Sequence, residues 1–96
     1  MKNGLEYAKR GLWDDAKASW LLVFNDSSYE LKERTNATYN LGLFYEINNN
    51  FQLAENFYND CYKMSGKSEY LDARVRVKKR KSEVQLLKEQ TGFNDQ

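Results

Sequence analysis

The chain has 96 residues, no proline, five glycines and a formal charge of +1. That length holds one domain at most, and the near-neutral balance gives the chain as a whole no strong pull toward nucleic acid or membrane. Histidine is absent and Cys61 is the only cysteine, which excludes a Ser-His-Asp or Cys-His pair, an imidazole metal site and an internal disulfide. No stretch approaches the ~20 apolar residues of a membrane span. No targeting segment is visible in the sequence, and the compartment stays open.

The predicted elements are helical throughout. A short first helix ends at Gly11, a residue suited to the left-handed conformation that closes helices. A second helix follows to about residue 24, with Trp13, Ala16, Trp20 and Val23 at steps of three and four. Asp14 and Asp15 fall in its first turn, where acids favour the helix dipole. Asn25-Asp26-Ser27-Ser28 breaks the chain, and Ser27 with Glu30 makes a capping box for a long helix from about Ser28 to Ile47. Asn48-Asn49-Asn50 is the next turn. A further helix carries Leu53, Ala54, Phe57, Tyr58 and Cys61 along one face. Gly66 is the expected C-terminal cap, and Ser68 would cap a last helix over about 69–90, with Tyr70, Ala73, Val77, Val84 and Leu87 as its apolar stripe. Arg80 and Lys81 interrupt that stripe. Residues 93–96 read as a frayed tail.

An internal repeat organises these elements. A shift of 38 residues lays Gly4 on Gly42, Leu5 on Leu43, Tyr7 on Tyr45 and Gly11 on Asn49. It also lays Trp13 on Phe51, Ala16 on Ala54, Trp20 on Tyr58 and Phe24 on Tyr62. Small residues meet small ones and aromatics meet aromatics. Each unit is therefore a helix, a tight turn and a helix.

The motif Leu41-Gly42, Tyr45, Ala54 and Tyr58, matched upstream by Gly4, Tyr7, Ala16 and Trp20, resembles the tetratricopeptide repeat (TPR) family. Asn3 stands where that pattern has leucine, and the period exceeds the usual ~34 residues by about one helical turn, which the long helix from Ser28 would absorb. The resemblance implies an all-α fold: antiparallel helical hairpins at about 1–24 and 28–64, stacked as a short right-handed α-solenoid, with the last helix as a cap. The domain would run from 1 to 92. The short leading helix suggests a piece of a longer protein.

The resemblance also implies function. Such solenoids hold a peptide or a helix of another protein on a concave wall, with no cofactor and no catalysis. Here the wall would present Leu5, Ala8 and Lys9, then Asn36, Tyr39, Asn40, Leu43, Glu46 and Ile47, then Arg74 and Val77, with Tyr39 and Leu43 as anchors. The competing assignment packs Tyr39, Leu43 and Ile47 against the last helix. The family's carboxylate clamp for chaperone tails is poorly matched, because Met1, Leu5 and Tyr70 stand where basic or amide donors are needed. An alternative function uses the run Arg74, Arg76, Lys78, Lys79, Arg80 and Lys81 to bind nucleic acid or another acidic surface. The same residues spread around most of the helix, and a solvated face with some internal ion pairing is the better reading of them. Cys61 reads as packing rather than as a reactive thiol.

Overall fold

The computed structural model describes residues 11–91, and these fold into four helices: α1 (Trp13–Asn25), α2 (Leu31–Ile47), α3 (Phe51–Ser65) and α4 (Ser68–Thr91). The chain is all-α, with no strand among the described residues. The leading helix expected around Gly4, Leu5 and Tyr7, the wall residues Ala8 and Lys9, and the tail at 93–96 lie outside the described residues.

Turns form where local sterics ask for them. Gly11 and Asn49, equivalent in the repeat, both have positive φ, 77° and 63°. Gly66 closes α3 at φ 71°, its N–H donating to the Tyr62 carbonyl at 2.7 Å. Asn50 caps the start of α3 by accepting from the Leu53 N–H at 3.4 Å.

The start of α2 differs from expectation. The helix begins at Leu31, not Ser28, and Glu30 precedes it without a side-chain cap. Asp26 is the cause. Its Oδ1 accepts from the Ser28 N–H at 2.9 Å and from the Ser28 hydroxyl at 2.7 Å, which fixes a turn that competes with helix. The connection between α1 and α2 is therefore Asp26–Glu30, and α2 spans 17 residues. Ser68, expected as a cap, is the first residue of α4.

Neighbouring helices pack antiparallel. Trp13 lies 6.4 Å from Phe44 at one end of the α1–α2 pair, and Arg34 donates to the Phe24 carbonyl at the other. Between α2 and α3, Tyr58 meets Gly42, and Cys61 Sγ donates to the Thr35 carbonyl at 3.7 Å. Between α3 and α4, Lys81 donates to Gln52 and Arg74 to Asn59. The contacts of α2 with α4 instead advance together, Tyr39 with Tyr70 and Glu46 with Arg76 and Arg80, so these two helices run parallel.

Two apolar clusters hold the stack. Ala16, Trp20, Ala37 and Leu41 bury the α1–α2 seam. Phe51, Ala54, Tyr58, Ala73 and Val77 bury the α3–α4 seam, with Tyr39, Leu43 and Tyr45 packed against them. Tyr45 touches both clusters and stacks on Phe57 at 5.5 Å, so the layers are continuous. Ala54 has no exposed surface. Ala54→Leu is expected to overpack this seam and destabilise the fold by about 1–3 kcal/mol. An unchanged urea midpoint and slope would show that the space is not closed.

Candidate partner-binding surface

The α2 wall follows from helical spacing, and side-chain exposure divides it. Asn36 and Ile47 are exposed, whereas Tyr39, Asn40 and Leu43 are half-buried. The Tyr39 ring lies 5.6 Å from both Tyr58 and Tyr70, and Leu43 packs on the α3–α4 cluster. These two anchors thus serve the α2–α4 seam as well as any surface. Ile47 does not pack against α4; it is 68% exposed.

Glu46 corrects the sequence reading most sharply. Expected on an open wall, it is buried at 7% exposure. Its Oε1 accepts from the Tyr58 hydroxyl at 2.7 Å and from Arg76 Nη2 at 2.8 Å; its Oε2 accepts from Arg76 Nε at 3.2 Å and Arg80 Nη1 at 2.9 Å. Burial would raise this carboxyl, but the hydrogen bonds from Arg76 and Tyr58 and the arginine charge outweigh it and hold Glu46 below the usual carboxylate range. Tyr58 moves the other way, because burial and then the Glu46 carboxylate disfavour its phenolate.

Arg74 also leaves the expected wall. It donates to Asn59 at 3.1 Å and approaches Glu55 at 3.9 Å, on the α3 side of the Tyr70–Ala73–Val77 stripe. Tyr39 and Arg76 stand on the α2 side, so Tyr39, Leu43 and Arg74 do not share one face. The basic run is broken up by the same pairing. Arg74, Arg76 and Arg80 have acidic partners, Lys81 donates to Gln52, and Lys78 and Lys79 are exposed. The acids come from α2 and α3.

Cys61 is fully buried, and its thiol is pushed up to about 12 by burial and then by Asp60. It is not poised as a nucleophile. Among the described residues, no group of His, Cys, Asp or Glu side chains could hold a metal ion, and no helix is long and apolar enough to cross a membrane.

A feature absent from the sequence reading is an open cleft of about 620 Å³ between the α2–α3 turn, Asn48–Gln52, and the distal part of α4. It arises because α4, at 24 residues, outruns the 15 residues of α3. The Lys81–Gln52 bond of 2.6 Å marks where α3 starts and the overhang of α4 begins. The mismatch of helix lengths was already present in the expected boundaries and was the available signal.

The family model for DUF6340, described as a domain of unknown function, matches residues 2–89. The chain belongs to the DUF6340 family. No curated protein and no solved structure matches it. In this DUF6340 chain the matched span takes in all of α1–α3 and most of α4, including Glu46, Tyr58, Arg76 and Arg80.

Proposed function

We propose that this chain is a protein–protein interaction module of TPR-like build, a short right-handed α-solenoid that holds a peptide or helix of a partner against α2. The observation that carries this reading is the repeated unit. Left-handed turns 38 residues apart, at Gly11 and Asn49, each introduce a helix whose Ala and aromatic, Ala16 with Trp20 and Ala54 with Tyr58, are buried. The parallel course of α2 and α4 agrees with their being first helices of successive units. Such arrays are quasi-one-dimensional and use their exposed faces for binding.

The proposed contact surface is Asn36, Asn40 and Ile47 with the accessible edges of Tyr39 and Leu43. Glu46 and Arg74 are omitted, because one is buried and the other faces α3. The test starts from proteins captured on the immobilised chain from its source cell. Each is then titrated against wild type, Asn40→Arg and Ile47→Asp. The expected loss is at least about 1 kcal/mol in binding for one of the two, the mark of an anchor position, with helical circular dichroism and melting unchanged. Affinities that ignore both substitutions in folded protein would move the interaction off this wall.

A further inference from the structure

The cleft beside the α2–α3 turn has a chemistry that the α2 wall lacks. Arg80, Lys81 and Lys88 line it from α4, Asn48–Gln52 line it from the turn, and no carboxylate is among its lining residues. Arg80 and Lys81 are held in place. Arg80 lies over the Phe51 ring at 5.2 Å while bonded to Glu46, and its side chain remains 47% exposed. Lys81 Nζ uses one donor on Gln52 and keeps two. The amide oxygen of Asn50 caps α3, which leaves its NH2 for another acceptor. Val84 and Phe51 give the cleft an apolar floor.

We propose that this cleft binds an acidic linear segment of a partner protein, through Asp or Glu side chains held by Arg80, Lys81 and Lys88. The dimensions suit a short tract. From Arg80 to Lys88 is two helical turns, about 12 Å, the length of roughly four extended residues. The asparagine-rich wall offers donors and acceptors to the backbone of such a segment. A nucleic acid fits less well. Phe51, the aromatic of the cleft, is buried beneath Arg80 and offers no face for a base. The cleft lies away from the α2 wall, and its role does not depend on what binds there.

The probe is a fluorescein-labelled hexaglutamate peptide titrated with the full chain by fluorescence anisotropy. Saturable binding is expected, weakened at least about tenfold by Lys81→Glu with Lys88→Glu. Lys78→Glu with Lys79→Glu makes the same charge change elsewhere on α4 and should weaken binding less than about twofold. Should the first pair fail to fold by circular dichroism, Gln85→Glu with Lys88→Gln makes half that charge change in the cleft, and Lys78→Gln with Lys79→Gln is its matched control. No saturable binding, or equal losses from both lysine pairs, would overturn the proposal. So would tighter binding of a single-stranded hexanucleotide that is lost with Lys81→Glu and Lys88→Glu, which would assign the cleft to nucleic acid.

Discussion

Gly42→Ala is expected to destabilise the protein by roughly 3 kcal/mol, although the same change in an ordinary helix interior stabilises by about 1 kcal/mol. The sign reverses because of Tyr58. A Cβ at position 42 would fall on Tyr58 Cε1, with Cδ1 at 2.7 Å and Cζ at 3.0 Å. The ring has nowhere to move. It is fully buried, its hydroxyl is tied to Glu46 at 2.7 Å, and the Tyr39 ring lies 5.6 Å away. The extra methyl must therefore push α2 and α3 apart, which loosens the buried seam along its length. Urea denaturation measures the effect, and a second variant checks its cause: Tyr58→Leu should remove most of the penalty specific to Gly42→Ala. A raised midpoint for Gly42→Ala alone would mean that the two helices do not meet at this glycine.

Glu46→Ala carries the second large effect, about 2–3 kcal/mol. The carboxylate satisfies a fully buried hydroxyl and two guanidinium groups at once. Without it the Tyr58 hydroxyl is stranded in the core. The arginines add less, because their side chains are 48% and 47% exposed and can turn to water. A pH dependence follows from the same contacts. The Glu46 carboxyl titrates below its unfolded value in the folded chain, and that unfolded value is about 4.3. Its contribution is thus fully present above about pH 4.3 and lost as pH falls through the lower folded value. Denaturant titrations from pH 7 to pH 3 should show wild type losing more stability than Glu46→Gln. Parallel curves for the two proteins would remove Glu46 from the acid response.

How far the sequence reaches depends on the range of the interaction. Asn49 and Gly66 were legible as helix ends, and Gly11 as a left-handed turn, because a left-handed backbone is a matter of a residue's own Cβ and its immediate neighbours. The apolar spacing of Ala54, Tyr58 and Cys61 told which face of α3 is inside, since helical period converts position directly into direction. The start of α2 was misjudged because two local signals competed. A capping box at Ser27 and Glu30 and an Asp26–Ser28 turn use overlapping residues, and the turn prevailed.

The candidate site was less legible. Glu46 lies on the helical face that the repeat register assigns to an open wall, and nothing near it in sequence offers a cation. Its arginines lie 30 and 34 residues downstream, on a helix whose rotation is set by Tyr70, Ala73 and Val77 entering the core. The same rotation turns Arg74 toward α3 and Lys81 toward Gln52. By itself, then, the sequence determined the helical class, the left-handed turns and the buried faces around Ala16, Trp20, Ala54, Tyr58, Tyr70, Ala73 and Val77, because these follow from sterics and periodicity within a few residues, whereas Val84 and Leu87, expected in the same stripe as Val77, are exposed. Only the tertiary structure decided which charges are neutralised and where a cleft remains open. Those depend on how far one helix outruns its neighbour and on which faces meet, and both are relations between residues remote along the chain.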